Sequence, residues 1–576
     1  MKQFLPIAFL FAVPFGVYAE PEFPLTEDSK VQQNVPKGEL IKFHLNSSVV
    51  YPGTFREISV YIPRQYNENK PACVYVNQDG VQWNAPVVFD NLISKGEMPV
   101  VVGIFIRPGV VKALDDKTAL SRFNRSLEYD GLGPDYSRFV LEEVLPAVER
   151  LVTADGRRIV LSKNGNDRAI GGSSSGAIAA FTAAWERSDA FSRVFNVVCT
   201  MVGLRGANEY PTLIRKFEPK PIRLFQQDGS NDNNIYGGDW WMANQELERA
   251  LTFAGYEHEH VWGEGGHNGK HGTAVFPDAM RFLWKGWPEP VKAGPGNNRM
   301  LNEILIPGEN WQVVWEGQTA PERLISNKKG EVFVSDKSKT HKLVSPGKQE
   351  EVSMASIYSA GPEERFYGLV PSEQKLVAYD KDGKLATITD GIRGTHLTVL
   401  ANGNMYVTET TAQPDGEHAI WLVRPDGSKQ ALDKAKTLWG GITVSTDQSL
   451  LYVNDARSHW VYSYQIQPDG TLAHKQRYYW LHTPDTADDA GAARMQIDTA
   501  GRLYVASRMG VQVCDQAGRV NFILPTPDGA VEDLVFGGEA LDTVYAISGN
   551  KIYRRLLKTK GVLSFEAPSK PAAPHL

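Results

Sequence analysis

Cysteine is nearly missing from this chain of 576 residues, which carries only Cys73, Cys199 and Cys514. Three thiols so far apart give no disulfide framework, so packed cores must hold the protein together. Cys73 and Cys199 stand in strongly apolar runs, which predicts buried free thiols. A surplus of charge is missing too. Lys and Arg number 61 against 67 Asp and Glu, a net charge of -6, which argues against a nucleic-acid partner. Beyond the N-terminus no run approaches 18 apolar residues, so no membrane anchor is expected. The last missing feature is helical periodicity after about residue 300, where short strands and turn residues take over.

The N-terminus is the exception on hydrophobic runs. Residues 1–19, MKQFLPIAFLFAVPFGVYA, place one lysine before an apolar stretch that ends in Val17-Tyr18-Ala19. That is the pattern of a cleaved export signal and predicts a periplasmic or secreted protein. A length of 576 residues is long for one hydrophobic core, so two domains are expected.

From about 42 to 288 short β-rich runs alternate with helical patterns. REISVYIP (56–63), PACVYVNQDG (71–80) and MPVVVGIFI (98–106) read as strands, and YSRFVLEEVLPAVERLV (136–152) as a helix. Strand–helix alternation on this scale predicts a largely parallel sheet covered on both faces. After the Pro/Gly/Asn-rich stretch 289–300 the period changes. GEVFVSD, RFYGLVP, GNMYVTET, SLLYVND, GRLYVAS and DTVYAIS recur with starts 35 to 52 residues apart, the length of propeller blades. A six-bladed β-propeller over 301–560 follows, because radial closure leaves few open strand edges. Residues 20–41 read as an N-terminal extension, and the Pro/Ala-rich 561–576 as a flexible tail.

The strongest chemical signal is Gly172-Ser173-Ser174-Ser175-Gly176, between a short strand and an Ala-rich helix. A tight strand-to-helix turn lifts one serine above a sheet, and small flanking residues let the two elements approach. Ser174 alone has glycine at both two-residue offsets, so it is the candidate nucleophile. The N–H of Ser175 at the helix start is a candidate oxyanion donor, with Gly80 or Val81 of the VNQDGVQW loop as the second. A serine hydroxyl needs a base. His267, in a glycine-rich loop after a strand, leads His271 and His260. The carboxylate that orients the base belongs between serine and histidine, where Asp232, Asp228 and Asp239 compete; Asp239 could instead cap a helix. Trp83, Arg122, Arg125, Glu128, Tyr129 and Trp240 are expected around the mouth.

The segments VNQDG, EYDGLGPDYSRFVLEEVLP, GGSSSG, DGSNDNN and AGYEHEHVWGEGGHNGKHG make residues 42–287 resemble the enterochelin esterase and feruloyl or acetyl xylan esterase family of α/β-hydrolases. That resemblance implies a triad of Ser174, Asp232 and His267. It also implies hydrolysis of a carboxylic ester, read here as a carbohydrate-linked one of acetyl or feruloyl type. An enterochelin-type siderophore ester is the closest alternative. About residues 300–560 resemble the gluconolactonase and regucalcin propellers. The resemblance implies a divalent metal held by a glutamate, an asparagine and an aspartate, with a further asparagine beside the substrate. Here PERLISNKKGEVFVSD puts Glu322 on the first ligand, but Gly440 and Ala493 fall on the others and Thr395 on the last. One carboxylate cannot hold calcium or zinc alone, and Arg494 adds positive charge. No metal or other cofactor is therefore expected. His396 and Arg494 would suit an anionic ligand. Two further readings are a metal-dependent lactonase in the propeller and a non-catalytic carbohydrate-binding protein.

Overall fold

The computed structural model describes residues 21–335, 339–410 and 416–574; the expected export signal lies outside the described residues. The chain divides into two compact units, an α/β-hydrolase domain followed by a six-bladed β-propeller. The first comprises residues up to Asn208 with 221–248 and 257–292. The second takes 209–220, 249–256 and 293 onward. This interleaving departs from a single cut at 289–300. Residues 209–220 join the second unit because Phe217 bridges Ile523 and the Arg555 guanidinium donates to both Glu218 oxygens at 2.8 and 2.9 Å.

The first unit is built on one eight-stranded sheet. Its strands are β1 (Glu39–Leu45), β2 (Arg56–Ile62), β3 (Cys73–Gln78), β4 (Val101–Ile106), β5 (Arg168–Ser173), β6 (Arg193–Val197), β7 (Arg223–Gly229) and β8 (Glu257–Gly263), in the order β1-β2-β4-β3-β5-β6-β7-β8. The β1–β2 and β2–β4 pairs are antiparallel; β3–β4 and every pair from β3 to β8 are parallel. Strands β3 and β4 are buried at every position, which explains their continuous apolar runs. Four longer helices matter for the site: α1 (Ala85–Lys95), α2 (Ser175–Glu186), α3 (Trp240–Ala254) and α4 (Lys270–Trp284). The expected helix over 136–152 runs from Asp135 to Glu149, with a wider π-type turn over Phe139–Val144 just before Pro146.

Three expected mouth residues turn out to be structural. Trp83 is 3% exposed, packs edge-on against Phe195, and donates its indole N–H to Asn77. Tyr129 is fully buried, and its hydroxyl accepts the Asp79 N–H at 3.3 Å. The Glu128 side chain is wholly buried on Arg56, accepting at 2.7 and 3.0 Å, and it also takes the Gly109 N–H. Because both charges lie out of water, removing one strands the other. Glu128→Ala is expected to destabilise this unit by about 3–5 kcal/mol. Denaturant unfolding followed by circular dichroism checks this; an unchanged midpoint would mean Arg56 finds another partner.

The second unit has six sheets, five of four strands and one of five. The repeated motifs become the second strands of the six blades: Val332–Ser335, Phe366–Val370, Met405–Glu409, Leu450–Asp455, Leu503–Ser507 and Thr543–Ser548. Gln312–Glu316, from the start of the unit, pairs with Lys551–Leu556 of the final blade. That closes the ring. The tail is not loose over its first part: Gly561–Val562 pairs with the Met495–Asp498 strand, and Leu563 and Phe565 enter a propeller core. Two apolar side chains within six residues outweigh the Pro/Ala composition that suggested a flexible tail. All three cysteines are buried and free. Among the described residues no helix is long and apolar enough to cross a membrane.

Candidate active site

The turn between β5 and α2 holds Ser174 at φ 57° and ψ -124°, left-handed backbone that an L-residue rarely adopts. Close approach requires glycine at 172 and leaves little room for a side chain at 176. A Cβ on Gly172 would lie 2.5 Å from the Gly176 carbonyl, and one on Gly176 would lie 3.0 Å from Asp79 and from the Gln78 Cβ. The serine is thereby raised above the C-terminal end of the sheet. Its Oγ lies 2.8 Å from His267 Nε2, and His267 Nδ1 lies 2.5 Å from Asp232 Oδ1. Thr200, which the sequence did not flag, sits 3.3 Å from the Ser174 hydroxyl and accepts the Trp240 indole N–H.

The rivals have other places. His271 stacks on Phe23 at 4.1 Å and contacts Gln227 through Nδ1 at 3.1 Å, and burial pushes its pKa down. His260 lies within β8, on the sheet. Asp239 caps α3, accepting the Met242 N–H at 3.0 Å. Asp228 is fully buried behind the line, holding the Gly229 N–H and the Asn244 amide of α3. Burial, and then the neighbouring Asp232, push the Asp228 carboxyl well above the usual carboxylate range. Burial acts the same way on Asp232, but the hydrogen bond from His267 and the Asp228 carboxyl outweigh it and hold Asp232 low. The pair is thus one neutral acid behind one carboxylate.

Two of the expected N–H donors have no protein acceptor among the described residues: Ser175, at the first position of α2, and Val81, in the loop after β3. The Gly80 N–H does not join them, because it donates to Ile106 O at 3.0 Å. Gly80 instead supplies the left-handed turn, φ 82°, that aims the loop. Arg125 grips Asp79 of that loop with two bonds of 2.8 Å and reaches Ser173 O at 3.5 Å. Arg107, also missed by sequence, lies over Gly80, its Nε 3.1 Å from where a Cβ would be. Trp240 is 2% exposed and meets the His267 ring edge-on, centroids 5.7 Å apart. Arg122 is exposed on a short hairpin and bonds Asn124; nothing brings it to the serine.

In the propeller the residues at the family's metal positions do not fit a divalent cation. Gly440 and Ala493 bring no side-chain oxygen, and Glu322 lies 3.5 Å from the Arg323 guanidinium. A side chain at Gly440 would lie 2.2 Å from Asn454 Oδ1, which already accepts the Gly441 N–H. Arg494 is half-buried and donates from its guanidinium to Tyr358 O at 3.2 Å. His396 lies inside the ring with Nδ1 unpartnered; burial, with Arg494 and Arg323 nearby, pushes it down to about 3.

Comparison with known proteins finds a similarity in each half. Residues 50–266 match the family described as "Putative esterase", and residues 332–550 match the SMP-30/gluconolactonase/LRE-like region. Among solved structures, a gluconolactonase from Xanthomonas campestris is 18% identical, covering 45% of this chain and 93% of its own, with a TM-score of 0.40. A ferulic acid esterase is 18% identical over 43% of this chain and 99% of its own, TM-score 0.34. The enterobactin esterase of Shigella flexneri is 18% identical over 46% of this chain and 63% of its own, TM-score 0.35. A search of curated proteins finds no match.

Proposed function

We propose that the chain is a serine carboxylic-ester hydrolase, exported on the strength of its N-terminal pattern, with Ser174 as nucleophile. One observation carries the reading: a hydroxyl, an imidazole and a carboxylate stand in line at 2.8 and 2.5 Å. His267 takes the Ser174 proton as Oγ attacks the ester carbonyl, and Asp232 orients the ring and stabilises its cation. The Ser175 and Val81 N–H groups receive the negative charge that develops on oxygen. The alcohol leaves with the proton from His267, and water repeats the sequence on the acyl-enzyme. Asp228 keeps Asp232 in place from behind.

Arg107 bears on the acyl group. It is exposed beside the Val81 loop and makes no ion pair among the described residues, whereas Arg125 is neutralised by Asp79. A free guanidinium there favours an acid part with ionisable or phenolic hydroxyls. That supports an enterochelin-type ester over an acetylated polysaccharide. The propeller keeps the lactonase fold without the donor set, and its proposed role is non-catalytic.

A panel of purified acetyl, feruloyl and dihydroxybenzoyl-serine esters tests this. The dihydroxybenzoyl ester is expected to be turned over with the highest kcat/KM. Arg107→Gln is expected to lower that value by about tenfold and leave activated acetyl esters unaffected. Preference for acetyl esters, unchanged in the variant, would return the reading to a carbohydrate acetyl esterase.

A further inference from the structure

The edge of the large sheet carries a cluster that the ester chemistry does not use. Strand β8 is the last strand of the sheet, and its alternation turns His258, His260 and Trp262 toward one face. Helix α3 covers that face: His258 Nε2 is 3.5 Å from Glu248 Oε1 of the helix. One ligand atom each from Glu248, His258 and His260 lie within 4.8 Å of one another. All three residues belong to the first unit.

We propose that Glu248, His258 and His260 bind a zinc ion, with water completing the coordination. Two imidazoles with one carboxylate suit a borderline cation and not calcium or magnesium, which take oxygen. Bonds of about 2.0–2.2 Å put tetrahedral donors about 3.3–3.5 Å apart. His258 and Glu248 already stand at that spacing, and the exposed His260 ring closes the remainder by rotating.

A second observation points the same way. Gln226 is the register partner of His260 on parallel β7, and so lies on the same face. Its neighbour on that face, Asp228, bonds Asn244 of α3. Gln226 is 1% exposed, yet neither its amide oxygen nor its nitrogen has a hydrogen-bond partner. A metal-bound imidazole presents its other N–H to such an acceptor. His260 stands three residues before the end of β8, about 10 Å short of it along the strand, so the cluster is separate from the serine. Its consequence is mechanical. The ion would tie the edge strand to α3, whose first residue abuts His267.

Calorimetric titration of the chelator-treated full chain with zinc chloride is expected to show one equivalent bound, with Glu248→Gln and His260→Ala each weakening binding at least tenfold. Cobalt(II) at the same site should give the visible bands of a four-coordinate ion, lost in both variants. The ring of His260 lies 4.7 Å from Trp262, so zinc is also expected to change the tryptophan fluorescence of wild type only. Zinc at a hundredfold excess over its Kd should raise the unfolding midpoint by about 5 °C. Circular dichroism of the zinc-free variants shows whether they fold. Absence of stoichiometric binding, or folded variants that bind zinc and cobalt as wild type does, overturns the site. None of these readouts depends on ester hydrolysis.

Discussion

Replacing Ser174 with alanine is expected to lower kcat/KM by about 10⁴-fold or more for every ester that the wild type turns over. The substitution removes one oxygen, the atom 2.8 Å from His267 Nε2, and keeps the Cβ. The strained φ of 57° is therefore common to both proteins, and the unfolding midpoint should move by about 1 °C or less. What survives is catalysis by the N–H groups of Ser175 and Val81 acting on bound substrate and water. Activity measured beside a thermal melt separates the two effects. A folded variant that keeps about a tenth of wild-type turnover would place the nucleophile elsewhere.

The second large effect distinguishes two neighbouring aspartates. Asp232→Asn is expected to cost about 10³- to 10⁴-fold in kcat, because an amide facing Nδ1 favours the wrong imidazole tautomer and cannot stabilise the imidazolium. Asp228→Asn should cost only a few-fold. Burial and the adjacent carboxylate keep Asp228 protonated, and asparagine has nearly the shape of a neutral carboxyl. The same assignment has a stability signature. A carboxyl whose folded pKa lies above its unfolded value binds more protons in the folded state. Its contribution is present in acid and is lost as pH rises through the folded value. Asp228→Asn is therefore expected to flatten the alkaline decline in stability, which denaturant melts between pH 5 and 9 would reveal. Equal losses of activity in the two variants would mean that both carboxylates must be charged.

Much of the site was legible because its chemistry imposes local spacing. Gly172 leaves room for the Gly176 backbone, 2.5 Å from where its Cβ would be, and Gly176 for the Asp79 and Gln78 side chains at 3.0 Å, a demand written at fixed offsets around Ser174. The resemblance carried Asp232 and His267, while residue pattern left Asp228 and His271 open. The mouth residues fared worse. Trp83, Glu128 and Tyr129 stand in a polar, turn-rich stretch or beside one, but pairing with Asn77, Arg56 and Asp79 buries them. Polarity in a sequence does not say whether a group faces water or a partner 72 residues away. Arg107, Thr200 and the grouping of Glu248 with His258 and His260 left no motif, since each gains meaning only from neighbours on other elements. Gly80 shows the limit for backbone donors: a loop's residue types do not reveal which N–H is already engaged.

The sequence by itself determined the two architectures, the repeat of the blades and the serine turn, because period and glycine spacing are local properties of the chain. Tertiary structure alone decided which aspartate stays neutral, which N–H groups remain open, and which charges are buried in pairs. Those outcomes depend on distance and dielectric across elements far apart in sequence. Electrostatic interaction is set by where groups meet, and the order of residues does not state that directly.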